Sequence, residues 1–155
     1  MSVPKSKRSI PKCEYVKIAL ELTVKIESVY GRFPKSWSFT HTQFVLKAVN
    51  ELLQHVYTAN YGIYVKTNKD AENAIYHLQQ AVGICYYLQS RFDQLMLKPP
   101  FRLKAYADKD GNNKTQKKIL FTDKTAEQLS SICGKEIKLL QGTIKYYQER
   151  QVNTF

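Results

Sequence analysis

Residues 32–43 read Arg-Phe-Pro-Lys-Ser-Trp-Ser-Phe-Thr-His-Thr-Gln, and they separate two long segments with helical periodicity. Proline fixes its own φ and disfavours the α conformation in the residue before it, so Pro34 predicts that a first helix ends near Tyr30. Ser38 or Thr40 can then accept a hydrogen bond from the free N–H groups of the next helix. The stretch therefore predicts a turn between two helices.

Three aromatic residues of this turn, Phe33, Trp37 and Phe39, carry more apolar surface than a passive linker needs. If they are buried, they fix the turn to the end of a helical bundle. If Trp37 is exposed instead, its ring is available to a base or a partner. We expect burial, which leaves Arg32 and Lys35 as the residues of the turn that contact a partner.

On both sides of the turn, apolar residues recur at three- and four-residue steps, as on the buried face of a helix. Low counts of Gly, 6, and Pro, 5, also favour helix. Asp70 is a plausible cap for the third helix. The predicted helices cover about 13–30, 40–66, 70–98 and 123–150. Four amphipathic helices in 155 residues predict one all-α domain, an antiparallel up-down-up-down four-helix bundle over 13–150.

Two helices carry more apolar surface than one buried side requires. In the first helix, Val16, Leu20 and Val24 widen the apolar face, so we expect this helix to be covered on more than one side. The second helix has a second apolar and aromatic set, which favours contact with a neighbouring subunit. This set consists of Leu46, Leu53, Tyr57, Tyr61 and Tyr64.

Residues 99–122 form a basic insertion that differs from the rest of the chain. Apolar residues alternate before Asp110-Gly111 and again at Ile119 and Phe121, which predicts a small β-hairpin. A long connection in a compact domain is usually either functional or disordered. The candidate contacts for a partner in this insertion are Arg102, Lys104, Lys114, Lys117 and Lys118.

The charge of the chain points to a polyanionic partner. Lys and Arg number 24 against 13 Asp and Glu, a formal net charge of +11, and such an excess most often indicates nucleic acid. An anionic membrane surface is the rival interpretation. The chain has no apolar run of 18 or more residues and no signal-peptide core, so we expect a soluble, cytoplasmic protein without a membrane partner.

Two further groups of basic residues have alternative interpretations. Residues 1–12 form a basic N-terminal arm with Lys5, Lys7 and Arg8, which is either a frayed terminus or a segment that settles on phosphates. Lys135, Lys138 and Lys145 share one face of the last helix. That row is either a solvated face or a contact surface for a phosphate backbone or an acidic protein.

The residue patterns of catalysis are missing, so we predict no catalytic residue, no metal site and no cofactor. No His/Asp/Ser arrangement, no Gly-rich phosphate loop and no paired carboxylates appear. Arg91 is not followed by a nearby histidine, which excludes the HEPN class of helical ribonucleases. The three histidines are scattered and are expected to be packed or surface residues. Cys13, Cys85 and Cys133 are expected to be reduced.

Four short motifs occur in an order that resembles a known family. They are Tyr30 to Thr40 with Phe33-Pro34-Lys35 and Phe39-Thr40, Ala59-Asn60, the run from Tyr87-Leu88 to Leu97, and Leu139-Leu140-Gln141-Gly142-Thr143-Ile144-Lys145. Together they resemble the small bacterial and phage four-helix-bundle family that includes the accessory variability determinant of diversity-generating retroelements and the ribosomal-RNA intervening-sequence proteins. The likeness spans about residues 13–150.

This resemblance implies a non-enzymatic, cytoplasmic partner of a reverse transcriptase, encoded by a bacterium or phage. Accessory determinants of this type form a basic pentameric barrel that binds the reverse transcriptase and the template-repeat RNA and supports mutagenic cDNA synthesis. The basic positions that match the family are Arg32, Lys35, Lys138 and Lys145.

Other functions remain open on the residues alone. One is a protein–protein interaction bundle whose basic face meets an acidic protein, including a toxin–antitoxin or nucleotidyltransferase helper. Another is a bundle protein that associates with ribosomal RNA and has no reverse transcriptase partner.

Overall fold

The computed structural model of the protein describes residues 13–63 and 65–153, and side chains up to residue 150. The predicted N-terminal arm, with Lys5, Lys7 and Arg8, and Tyr64 of the second helix lie outside the described residues. Within them, four α-helices and one antiparallel pair of strands account for most of the chain. The predictions of a mostly helical fold and of a small hairpin in the basic insertion are confirmed.

The regular elements follow one another with short connections, except at the turn after the first helix. They are α1 (Glu14–Tyr30), α2 (Gln43–Tyr57), α3 (Asn68–Leu97), β1 (Phe101–Ala107), β2 (Asn113–Ile119) and α4 (Asp123–Asn153). A 3₁₀ turn, Lys35–Trp37, and a π-helical turn, Ser38–Thr42, precede α2, and a second π-helical turn, Thr58–Gly62, follows it.

The start of α2 differs from the prediction. Neither Ser38 nor Thr40 caps a helix, because Trp37 and Ser38 already have helical φ and ψ and α2 begins without a side-chain cap. The chain enters α2 through the 3₁₀ and π turns, so the free N–H groups expected near Thr40 are absent. At its other end, α2 passes into the π turn and ends short of the predicted residue 66.

The cap of α3 also differs from the prediction. Thr67, not Asp70, is the N-cap: its hydroxyl oxygen accepts a hydrogen bond from the Asp70 N–H at 3.2 Å. The Asp70 carboxylate in turn accepts from the Thr67 N–H at 3.1 Å. This reciprocal capping box satisfies two amide groups at the start of the helix.

The four helices share one hydrophobic core. Helix α1 packs against α2 and α4, and α3 packs against the same two helices. Val16 is buried and Leu20 is half-buried, as the wide apolar face of α1 predicts, but Val24 is 66% exposed. With Leu20 and Ile132, Val24 lines an open groove of about 1000 Å³ between α1 and α4.

Five aromatic residues form a cluster at the end of the core where the turn lies. Phe33 is 6% exposed, and its ring centroid lies 4.7 Å from Tyr30 and 6.3 Å from both Trp37 and Phe121. Phe92 of α3 lies 6.3 Å from Phe121. The cluster therefore joins α1, the turn, α3 and the segment that leads into α4.

The expected burial holds for two of the three aromatic residues of the turn. Phe33 is buried and Trp37 is half-buried, but Phe39 is 78% exposed, so that part of the prediction is wrong. Phe39 lies in the π turn, whose hydrogen bonds join residue i to i+5 and so shift side chains relative to a regular helix.

Arg91 of α3 holds the π turn from outside the core. Its Nη2 donates a hydrogen bond to the Thr40 carbonyl oxygen at 2.6 Å. The guanidinium carbon lies 5.4 Å from the centre of the Phe44 ring, within the range of a cation–π contact. Arg91, for which the sequence predicts no structural role, therefore stabilises the π turn.

Glu136 of α4 is a carboxyl group in the centre of the core. Its side chain is fully buried, and neither carboxylate oxygen accepts a hydrogen bond. Burial raises its pKa from 4.5 to about 8, because water no longer stabilises the charged form. Burial also raises the pKa of the nearby Cys133 thiol to about 12 and that of Cys85 further, so both remain protonated. All three cysteines are free thiols.

Within the described residues, no helix combines the length and the apolar composition that crossing a membrane requires.

We expect Phe33→Ala to lower the free energy of unfolding by about 3–5 kcal/mol, because a buried ring at the centre of the aromatic cluster is lost. Phe39→Ala is the matched control, since the same truncation at an exposed position should change stability by less than about 0.5 kcal/mol. Urea denaturation of the two variants measures both values. Equal losses would contradict the assigned burial.

We expect Glu136→Gln to stabilise the protein increasingly as the pH rises. Between pH 4.5 and about 8 the folded protein keeps a proton that the unfolded chain releases, so wild-type stability falls across this window. Glutamine has no proton to release. The gain should be small near pH 4 and should reach roughly 2–4 kcal/mol above pH 8.

Denaturation curves at a series of pH values measure this difference. Glu127→Gln, at an exposed position of the same helix, should leave the pH dependence unchanged. A constant difference between Glu136→Gln and wild type at every pH would show that the Glu136 carboxyl titrates alike in the folded and unfolded states.

Candidate nucleic-acid interface

The hairpin of β1 and β2 carries most of the basic residues predicted to bind a partner. The strands pair in antiparallel register from Phe101 opposite Ile119 to Ala107 opposite Asn113. Every residue of both strands is exposed. A two-stranded hairpin is marginally stable alone in water, so contacts at its tip and its base matter.

The tip closes around Asp108. The Asp108 carboxylate accepts hydrogen bonds from the N–H groups of Asp110 and Asn112, each at 2.9 Å. The Gly111 N–H donates to the Asp108 carbonyl oxygen at 3.1 Å. Gly111 has φ +79°, a left-handed conformation that glycine adopts without a steric cost. The Asp-Gly pair thus ends β1 as the sequence predicts.

Arg102 fixes the base of the hairpin to the turn after α1. Its Nη2 and Nε donate hydrogen bonds to the Arg32 carbonyl oxygen at 2.7 and 3.0 Å. The Leu120 N–H donates to the Pro100 carbonyl oxygen at 2.9 Å. Phe121 then enters the aromatic cluster. The hairpin therefore projects into solvent from a fixed base.

The register sorts the hairpin side chains into two unlike faces, since residues opposite each other point to the same side. The basic face consists of Arg102, Lys104, Tyr106, Lys114, Gln116 and Lys118. The opposite face consists of Phe101, Leu103, Ala105, Ala107, Asn113, Thr115, Lys117 and Ile119. Four of six residues on the first face are Lys or Arg, against one of eight on the second.

Most of this positive charge has no acidic neighbour. The strands contain no Asp or Glu, and Lys114 alone on them forms an ion pair within the described residues, with Asp108 at 3.3 Å. Arg102 bonds to a neutral carbonyl group, which leaves its charge uncompensated. Lys117 lies on the opposite face, 4.4 Å from the centre of the Phe101 ring.

Arg32 extends the basic face onto the end of the bundle. Its carbonyl oxygen binds Arg102, and its guanidinium donates to the carbonyl and hydroxyl oxygens of Ser28 at 3.3 and 3.4 Å. Both acceptors are neutral, so this charge is also uncompensated. The structure thus brings together Arg32, from the turn, and Arg102, from the insertion. Lys35 is exposed in the 3₁₀ turn nearby in sequence.

The lysine row of α4 is a separate surface. All three lysines are exposed. Lys135 lies 4.0 Å from the Glu14 carboxylate and Lys145 lies 4.0 Å from that of Glu149. At 1.5 Å per helical residue, Lys135 is about 18 Å along α4 from its first residue and Lys145 about 33 Å. The row therefore runs away from the hairpin end, with part of its charge balanced.

Two residues of functional interest were missed by the sequence analysis. Tyr106 is an aromatic residue on the basic face. It follows Arg102 by four residues, so the two-residue period of a strand predicts that both side chains lie on the same face. Glu136 is three residues from Cys133 and four residues from both Ile132 and Leu140, which belong to the apolar stripe of α4. Its burial could therefore have been inferred from the helical period.

The histidines do not form a metal site. The Nδ1 atoms of His55 and His77, two of the three histidines expected to be packed or surface residues, lie 2.9 Å apart, a hydrogen-bond distance. Burial lowers the pKa of His55, and His77 lowers it further. His41 stacks on Trp37, 4.7 Å between ring centres. Nowhere in the described chain do three His, Cys, Asp or Glu side chains come together in a way that would hold a metal ion.

Comparisons with protein-family models, with curated proteins and with solved structures found no match to this chain.

We expect Arg102→Ala to loosen the hairpin without changing the melting temperature of the bundle. The variant loses both hydrogen bonds to the Arg32 carbonyl oxygen, worth roughly 1 kcal/mol for an exposed contact. Amide hydrogen exchange should become several-fold faster across residues 101–119 and remain unchanged in the helices. Lys118→Ala, at the position opposite Arg102, is the control. Unchanged exchange in Arg102→Ala would exclude an anchoring role.

Proposed function

We propose that this chain is a non-enzymatic RNA-binding subunit that assembles with copies of itself beside the reverse transcriptase of a diversity-generating retroelement. The observation that supports RNA binding most strongly is the basic face of the hairpin, where uncompensated cations project into solvent. Lys and Arg bind the phosphate backbone of nucleic acid by displacing condensed counterions. The named polymerase partner comes from the resemblance of the motif order to the accessory determinants.

The proposed bundle topology is up-down-up-down. Contacts of α1 with α2 and α4, and of α3 with the same two helices, support this arrangement. In this arrangement the hairpin, which joins α3 to α4, lies at the same end as the turn after α1. The bond from Arg102 to Arg32 supports that placement.

Exposed aromatic residues on α2 and α3 support self-assembly. Phe44, Tyr57, Tyr76 and Tyr87 are exposed. Tyr57 and Tyr61 lie with ring centres 5.3 Å apart outside the core. Large apolar patches on a soluble surface usually mark contact sites. A pentamer is the subunit count that the resemblance implies.

The proposed mechanism is electrostatic. A ring of subunits repeats the hairpin by symmetry, so one structured RNA contacts several basic faces at once. After the first contact, each further contact is intramolecular, and avidity exceeds the affinity of one subunit by orders of magnitude. The lysine row of α4 would face either the same RNA or the reverse transcriptase. The protein would hold its RNA near the polymerase and carry out no chemistry itself.

The test is the light-scattering mass of the purified protein, alone and with structured template-repeat RNA, over a salt series. We expect an oligomer that binds RNA, with an affinity that falls about 10³-fold or more between 50 and 200 mM salt, as is typical of six or more phosphate contacts. Co-purification with the reverse transcriptase tests the second partner. The charge-reversed triple variant of Lys135, Lys138 and Lys145 to Glu tests whether the row of α4 contributes.

Each alternative has its own outcome. A monomer that ignores RNA would overturn the proposal. Binding to an acidic protein with little salt dependence and without RNA would favour an interaction bundle or enzyme helper. RNA binding by an oligomer that fails to bind a reverse transcriptase would favour a ribosomal-RNA-associated protein.

A further inference from the structure

The two faces of the hairpin differ more than solubility requires. Lysine on an exposed strand edge prevents association with another sheet. That protection would act equally from either face, yet Lys117 is the single basic residue on the opposite face. An additional requirement for positive charge on the basic face explains the asymmetry.

Tyr106 lies at the tip end of the basic face, beside two of its lysines. It stands opposite Lys114 and two positions from Lys104 on the same face, and its side chain is 44% exposed. It belongs to none of the aromatic pairs of the described residues. An exposed ring between lysines, away from any apolar core, has an open face for a planar ligand.

The remaining polar groups of the basic face match a nucleotide backbone. Lys104, Gln116 and Lys118, with Lys117, line an open groove of about 230 Å³ on the hairpin. This volume is several times the roughly 30 Å³ that a water molecule occupies in the liquid, so a hydrated phosphate group fits beside the ammonium groups. Gln116 offers both a donor and an acceptor to a base edge.

We propose that the basic face of the hairpin binds a single-stranded segment of RNA. Tyr106 stacks on a base, while Arg102, Lys104, Lys114 and Lys118 contact the neighbouring phosphates. Aromatic side chains between basic residues are the arrangement by which proteins bind single strands, because every base has a face that can stack. In a duplex the faces of the bases are occupied by their neighbours.

This inference rests on the proposed function, since it specifies which form of RNA the protein binds and which residues bind it. It also divides the candidate residues: the Lys118 side chain belongs to the interface, whereas the Lys117 ammonium group lies over the Phe101 ring on the opposite face, although Lys117 also borders the groove. These two residues are adjacent in sequence, carry the same charge and point to opposite faces. They therefore form a matched pair for an experiment.

The first test compares Lys118→Glu with Lys117→Glu in the full chain. Fluorescence anisotropy with a labelled oligouridylate of about 12 nucleotides measures affinity over a salt series. Lys118→Glu should weaken binding by about tenfold and reduce the salt slope by about one, while Lys117→Glu should weaken it by less than about threefold. Equal losses would show that only overall charge matters and would overturn the inference.

The second test isolates stacking. Tyr106→Ala should weaken binding of the single strand by about tenfold without changing the salt slope, and Tyr106→Phe should restore it, because the ring remains. Binding of an RNA duplex of the same length should be unaffected by Tyr106→Ala. An unchanged affinity of Tyr106→Ala for the single strand would overturn the role of the ring.

These results separate the inference from the function on which it rests. If the wild-type protein binds RNA and every hairpin variant binds equally well, the inference fails and the proposed function stands. If the wild-type protein binds no RNA, both fail. Because these side chains are exposed, melting temperatures close to that of the wild type should confirm that the variants fold.

Discussion

Burial of the Phe33 ring is the contact on which the rest of the structure depends. Its neighbours come from α1, the turn and the segment between β2 and α4, so one side chain joins segments almost 90 residues apart in sequence. A ring packed by aromatic neighbours on several sides stabilises through both apolar burial and edge-to-face contacts. Together with the hydrogen bonds from Arg91 to Thr40 and from Arg102 to Arg32, this cluster fixes the turn and the base of the hairpin relative to the helices.

In the RNA-binding function that we propose, the fixed base of the hairpin would raise the affinity. An isolated pair of exposed strands would lose much of its binding free energy to ordering when it met a ligand. Here Phe121 in the cluster and Arg102 on the Arg32 carbonyl group order the base in advance. The cations on the basic face are therefore held together before binding. These cations repel one another, but the repulsion is weak because water and salt screen exposed charges.

Burial of one carboxyl group makes the net charge of the folded protein more positive. The formal net charge of +11 counts Glu136 as ionised, but burial keeps this carboxyl largely protonated at pH 7. The folded protein is therefore close to one unit more positive than its composition indicates. The buried acid lowers stability above pH 4.5, because no hydrogen bond compensates the charged carboxylate in the core.

The sequence by itself determined the helices, the turn at Pro34, the hairpin and the excess of basic residues, because these depend on the local period of apolar residues and on the φ preferences of proline and glycine. The tertiary structure was needed to show that Phe33 is buried and Phe39 exposed, that Val24 faces solvent, and that the Glu136 carboxylate has no hydrogen-bond partner in the core. It also brought Arg102 to Arg32 across 70 residues. The reason is physical: a period of 3.6 or 2 residues places side chains on a common face, but which face is covered depends on distant segments.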